Sequence, residues 1–188
     1  MKILFAARLE PVKNPITFVQ AGLQLTRHEF IIAGDGSLKR QCEILASGSK
    51  NITFLGWVGA ETVDHLMKEA DVFCQLDNID NIWSSSLVAA MKNGKAVICT
   101  NTGYTGTYLK DNYHALLISP QKSSELISAI ERLSNDPVLR YGLGENAQAF
   151  IRENLSTEKI VASIERLITC TVKDWKENHG RSEIERED

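Results

Sequence analysis

The 188-residue sequence has no long apolar run, no surplus of basic residues, no closely spaced cysteines and no glycine-rich phosphate loop of a standard type. Each absence excludes something. The opening Met-Lys-Ile-Leu-Phe-Ala-Ala-Arg is a short apolar run broken by Arg8, so it reads as neither a signal peptide nor a spanning helix, and a cytoplasmic protein is expected. A formal net charge of −3 with dispersed basic residues leaves no footprint for a nucleic-acid backbone. Cys42, Cys74, Cys99 and Cys170 include no Cys-x-x-Cys pair, and no histidines stand at metal-ligand spacing. They read as reduced thiols with no metal site, and Cys74 and Cys99, inside apolar runs, act as small hydrophobes. Neither a Walker loop nor a Gly-x-Gly-x-x-Gly run follows any apolar stretch. Internal repeats and low-complexity linkers are also lacking.

What is there is the balance of one globular domain, 43% hydrophobic and 24% charged. Short apolar runs at Ile3–Ala7, Phe30–Ala33, Ile52–Leu55, Val72–Leu76, Ala96–Cys99 and Ala115–Ile118 read as buried strands. Helical patterns lie between them, among them Ile16–Leu25, Leu38–Ala46, Thr62–Ala70 and Ser86–Lys92. Alternation of this kind predicts an α/β, doubly wound, mostly parallel six-stranded sheet, because each crossover helix needs a strand face for its apolar stripe. Beyond the sixth strand only helices are expected. Leu126, Ile127, Ile130 and Leu133 share one face, and Ile160, Val161, Ile164, Leu167 and Ile168 another, both predicted to pack inward. Ser123 and Ser156 are candidate caps, and Asn135-Asp136-Pro137 is a stop-and-restart signal. Residues 1–170 are taken as the Rossmann-like domain and 171–188 as a polar tail or helix extension, frayed or docked elsewhere.

In open parallel sheets ligands collect outside the carboxyl ends of the strands, where helix N-termini converge, so the residues just after each strand are the informative ones. After the first strand come Arg8 and Lys13; after the second comes Gly34-Asp35-Gly36. A guanidinium that chelates phosphate oxygens, an ammonium point charge and a tight glycine turn suit a diphosphate. The alternative is two surface charges and glycines that only make a turn.

The whole series is more specific than its parts. The succession Phe5-Ala-Ala-Arg-Leu…Lys13, Ile31-Ile-Ala-Gly-Asp-Gly, Ile52-Thr-Phe-Leu-Gly-Trp-Val, Ala70-Asp-Val-Phe, Ala90-Met-Lys-Asn-Gly-Lys-Ala-Val-Ile and His114-Ala-Leu-Leu-Ile-Ser-Pro resembles the C-terminal domain of family 4 retaining glycosyltransferases over about residues 1–168. The resemblance implies the nucleotide-sugar-binding half of a GT-B enzyme, a nucleoside-diphosphate sugar as donor substrate and no obligatory metal or other cofactor. It implies that Arg8 and Lys13 hold the diphosphate and that backbone around Gly56 and Trp57 lines the base pocket. Transfer to a saccharide or lipid-linked acceptor would need an acceptor-binding N-terminal-type domain or subunit, and the acceptor could bring peripheral membrane association. Cations and the Ser84-Ser85-Ser86 helix start, aimed at the charge that develops on the leaving diphosphate, would stabilise the transition state more than the substrate. One or more of these serines could instead only cap the helix.

The departures matter equally. The family carries two glutamates separated by seven residues, the first reaching the donor sugar and the second the ribose. Counting back from Ala90-Met91, the second falls on Ala89, whose methyl group accepts no hydrogen bond. The first falls on Asn81, or on Asp80 counting forward from Asp71-Val72-Phe73, so Asp80 is the candidate catalytic carboxylate. A solvated acidic loop holding Asp77 and Asp80 is the competing reading. In Gly103-Tyr-Thr-Gly-Thr107 the family's proline and glutamate are replaced by Gly106 and Thr107, and the proline expected after Gly94-Lys95 is Ala96. Thr107 is kept with Gly34, Gly36, Gly56, Trp57 and the serine triplet as a donor-binding candidate. Such losses admit a second hypothesis, a catalytically silent binding or scaffolding module; a sugar-epimerase half fits the intervals less well. Asn101 and Tyr104 are read as loop-shaping, Trp57 and Trp83 as core or pocket rim, and His114 as structural.

Overall fold

The computed structural model describes residues 1–79 and 84–179. Six strands, β1 (Lys2–Ala6), β2 (Glu29–Ala33), β3 (Ile52–Gly56), β4 (Val72–Gln75), β5 (Ala96–Thr100) and β6 (Leu116–Ile118), pair throughout in parallel in the order β3-β2-β1-β4-β5-β6. The helices are α1 (Pro15–Gln24), α2 (Lys39–Leu45), α3 (Ala60–Glu69), α4 (Ser85–Lys92), α5 (Gly103–Tyr108), α6 (Ser123–Asn135), α7 (Pro137–Asn154) and α8 (Thr157–His179). The expected α/β, doubly wound Rossmann-like class therefore holds. Two compact units are distinguished: Met1–Ile151, which holds the sheet, and Arg152–Asp188, which holds α8.

The near-continuous apolar character of the central strands follows from burial on both faces. All residues of β4 and β5 are buried. On one face Ile3, Phe5, Ile32, Val72, Cys74 and Ile98 join Phe18 and Val19 of α1 and Leu126 and Ile130 of α6 in one cluster. Its aromatic centre is Phe18, whose ring lies 5.3 Å from Phe5 and 5.1 Å from Phe30, the latter edge-on. This tilted geometry suits the ring quadrupoles. Cys42, Cys74 and Cys99 are buried free thiols, as read from their apolar surroundings, and burial pushes Cys42 up to about 11.

Several elements differ from expectation. Strand β3 lies at the sheet edge and alternates half-buried with exposed residues, so Leu55 is exposed rather than enclosed. The stretch after β5, read as a loop, forms the short helix α5, which starts after Thr102, whose carbonyl accepts from Thr105 N. Ser123 is the first residue of α6 and makes no cap bond, whereas Ser156 Oγ does accept from Lys159 N. The break at 135–137 occurs where predicted, with Asp136 Oδ1 accepting from Leu139 N at the start of α7. In α8 the helix runs on through Thr171 to His179, in keeping with a helix extension, and Ile160, Val161, Ile164, Leu167 and Ile168 are exposed. Periodicity assigns these residues to one face; it cannot supply the surface that covers it.

His114 precedes β6 and is structural in its contacts. Its Nδ1 accepts from Lys110 N at 3.0 Å, its ring meets Tyr113 and Phe150, and burial with the nearby Lys110 charge lowers its pKa.

Phe18→Ala removes the shared ring of the aromatic cluster. It is expected to lower stability by ~3–5 kcal/mol, as large cavities do. Urea denaturation would read this as a lower midpoint at unchanged slope, and a loss under about 1 kcal/mol would deny Phe18 its central place.

Candidate functional site

The strand order changes direction between β1 and β4, the two strands from which successive crossovers diverge. The loops leaving their carboxyl ends run apart and open a crevice between them, the usual ligand position in such sheets. A pocket of about 290 Å³ occupies that place. One wall is the end of β1 with Ala7 and Arg8, another is β4 and its extension Leu76-Asp77, and Lys13 and the first residues around α4 complete it.

Two backbone devices position the cations. After Arg8 the chain forms a 3-10 turn, Pro11–Lys13, then turns at Asn14 in the left-handed region (φ 52°) into α1. Asn14 Oδ1 accepts from Thr17 Oγ1 at 2.9 Å, fixing the turn that presents Lys13. Asn78 then ties the β4 loop to the same turn, its backbone N–H donating to Val12 O at 2.8 Å and its Nδ2 to Pro11 O at 3.0 Å.

The two cations differ in state. Arg8 is exposed and makes no hydrogen bond or ion pair with any described residue. Lys13 is largely buried, and its Nζ lies 2.9 Å from Asp77 Oδ2, with side-chain exposures of 14% and 4%. Asp77 is thus not part of a solvated loop. Its Oδ2 also lies 3.4 Å from Gln75 Nε2, and its carbonyl accepts from Thr100 Oγ1 at 2.6 Å. Ser84 extends the network: its Oγ donates to Gln75 Oε1 at 2.5 Å and accepts from Leu87 N at 3.1 Å, which makes Ser84 the N-cap of α4. Ser85 and Ser86 also line the pocket. Their amides lie in the first turn of α4, where helix N–H groups have no intrahelical acceptor.

The remaining candidates fall elsewhere. Gly34 and Gly36 serve packing between loops rather than lining this pocket. A Cβ on Gly34 would sit 1.9 Å from the Ala7 carbonyl oxygen, and one on Gly36 2.7 Å from that of Leu9. The intervening Asp35 is spent locally, accepting from Gly36 N and pairing with Lys39 Nζ at 2.7 Å, and these bonds lower its pKa. Glu10 clasps the same loop by accepting from Ser37 N and Ser37 Oγ, bonds that hold its carboxyl below the ordinary value. This clasp had no signal in the sequence. Gly56 ends β3 with φ 68°, and Trp57, 79% exposed, is neither core nor part of the pocket wall. Thr107 lies on α5, its hydroxyl donating to Gly103 O at 2.9 Å, also away from the pocket wall. Asp80, Asn81 and Trp83 lie outside the described residues.

Comparison with known proteins identifies the family and the fold. Residues 1–150 match the family described as Glycosyl transferases group 1. The chain belongs to that family. An alpha-1,4-N-acetyl-D-galactosaminyltransferase of Campylobacter jejuni is 30% identical over 155 residues, which are 78% of this chain and 42% of that protein. The C-terminal domain of a group 1 glycosyl transferase from Francisella tularensis has a similar structure, with a TM-score of 0.74 at 18% identity over 83% of this chain and 86% of that one. Anabaena HepE, solved with UDP and glucose, gives a TM-score of 0.81 at 20% identity over 89% of this chain and 48% of that one. These two likenesses concern the fold. This group 1 chain spans less than half the length of the curated relatives it matches. Within it, the position where the resemblance expects a ribose-binding glutamate is Ala89, in the middle of α4.

Ser84→Ala would remove the cap of α4 and leave Gln75 Oε1 without its donor. A loss of ~1 kcal/mol is expected from the cap alone. Thermal melting checks it, and an unchanged melting temperature would rule out the cap and its link to Gln75.

Proposed function

We propose that this chain is the donor-binding half of a glycosyltransferase, taking a nucleoside-diphosphate sugar and passing the sugar to a saccharide or lipid-linked acceptor held by an acceptor-binding domain or subunit. The observation that carries this is the convergence of Arg8, Lys13 and the first turn of α4 on one pocket at the carboxyl ends of β1 and β4. In the transfer, the bond between the anomeric carbon and the diphosphate oxygen breaks, the electron pair stays on that oxygen, and the acceptor hydroxyl forms the new bond to carbon while its proton passes to the departing diphosphate. Negative charge therefore grows on the diphosphate. Arg8 would meet it with a bidentate guanidinium, and the Ser85 and Ser86 amides with a helix N-terminus, all of them lining the same pocket. Such groups contribute most when already oriented before the charge develops.

The reading uses this chain's own cations and helix for charge neutralisation and assigns no step to a metal. Among the described residues no cluster of His, Cys, Asp or Glu could hold one. The proposed site of action is the cytoplasm. Among the described residues no helix is long and apolar enough to cross a membrane, and a lipid-linked acceptor would bring the chain to a membrane surface. The Campylobacter jejuni relative bears a name that includes PP-undecaprenol, an acceptor of that chemistry.

A second reading has its own observation. Ala89 offers no acceptor where the family resemblance expects one for the ribose, which favours a binding or scaffolding module without turnover. A lost hydrogen bond of this kind weakens binding by ~0.5–1.5 kcal/mol, and more where the missing acceptor was charged. Hydrolysis or transfer from a labelled donor, with the acceptor-binding half supplied, separates the two: turnover that Arg8→Ala abolishes supports the enzyme.

Calorimetry against UDP, GDP and ADP tests the site itself. One of the three is expected to bind, and Arg8→Ala to weaken that nucleotide by about tenfold or more, the loss of a charge-assisted contact. No binding by any of them at millimolar concentration, or binding indifferent to Arg8, would end the donor-site reading.

A further inference from the structure

The pocket contains an anion of its own. Asp77 lies at the extension of β4, is only 3% exposed, and holds Lys13 Nζ at 2.9 Å. This pair is not a chance meeting of surface charges. Lys13 is fixed by the 3-10 turn and the Asn14 bend, and Asp77 by Thr100 Oγ1 on its carbonyl and by the two bonds from Asn78 to the Lys13 turn. Gln75 Nε2 is near the same carboxylate oxygen, and Gln75 is itself oriented by Ser84. Both ends of the ion pair are therefore anchored by backbone contacts that do not involve the pair.

We infer that Asp77 is an internal counter-anion that sets the affinity of the pocket for nucleoside diphosphates by occupying Lys13. This rests on the donor-site reading above and deepens it. A diphosphate entering between Arg8 and the first turn of α4 meets one cation with no ion-pair partner among the described residues and one whose charge is already matched. To use Lys13 fully it must displace a carboxylate held close to ideal hydrogen-bond distance, or share the ammonium while lying near a second anion. Either route weakens phosphate binding relative to the same pocket with a neutral group at position 77. Asp77 is thus a specificity-determining residue, favouring ligands that place less negative charge against Lys13.

The test is calorimetric titration of the 188-residue chain with UDP, GDP and ADP, comparing wild type, Asp77→Asn, Lys13→Met and the double variant. Asparagine keeps the side-chain size and a carbonyl acceptor for Lys13. The expected result is that Asp77→Asn binds the preferred nucleotide about tenfold more tightly, the scale of one charge-assisted hydrogen bond, and that the gain vanishes in the Lys13→Met background. Binding by wild type with equal or weaker binding by Asp77→Asn overturns the counter-anion while leaving the donor site in place. A gain that persists without Lys13 also overturns it. Binding by neither wild type nor Asp77→Asn overturns the donor-site reading and the inference together. Should Asp77→Asn not melt cooperatively, Asp77→Ser takes its place. In wild type, carbon NMR of the Asp77 carboxyl provides a readout independent of any variant. Saturating nucleotide should shift that signal as Lys13 turns to the phosphate, and an unmoved signal overturns the inference.

Discussion

Six strands running the same way send all their carboxyl ends to one edge of the sheet, and the order β3-β2-β1-β4-β5-β6 makes the loops after β1 and β4 part from each other. That topological constraint creates the crevice before any functional side chain is specified. The apolar β1 and β4, buried on both faces, hold it rigid from below. Phe5 and Cys74 enter the shared core from these strands, while the residues that follow them, Arg8 on one and Asp77 on the other, reach the pocket. The same short segments thus contribute packing at one end and polar groups at the other.

The loops at this edge are held by each other more than by regular structure. Gly34 passes so close to the Ala7 carbonyl that any side chain would collide with it, while Gly34 N donates to Gly56 O at 2.7 Å and Leu9 N to Asp35 O at 2.9 Å. The glycine turn, which from sequence suits phosphate, also fixes the course of the segment that carries Arg8.

The strands and most helices were legible because burial imposes a pattern: continuous apolar runs for central strands, a three-to-four-residue period for helices. Helix α5 escaped because Gly103–Tyr108 carries no apolar stripe and begins without a side-chain cap bond. In α8 the stripe itself is clear, and Ile164 and Leu167 on it are exposed. Arg8 and Lys13 were legible from their places after a strand. Asp77 was not, since its partner lies 64 residues away and a short run of acidic residues in a loop reads as solvated until the fold brings them together. The Glu10–Ser37 clasp was hidden in the same manner.

These features explain why counting cations in the sequence overstates the electrostatic pull of the pocket. Two basic residues reach it, but one arrives with its charge matched by a buried carboxylate whose position is set independently through Thr100 and Asn78. A buried pair of this kind gains little net stability over an apolar pair of equal volume, since desolvation offsets most of the attraction. At the pocket the described residues therefore present one guanidinium unpaired among them, one helix start, and one ammonium already paired with a carboxylate. Ala89, in the middle of α4, adds no hydrogen-bonding side chain to this balance.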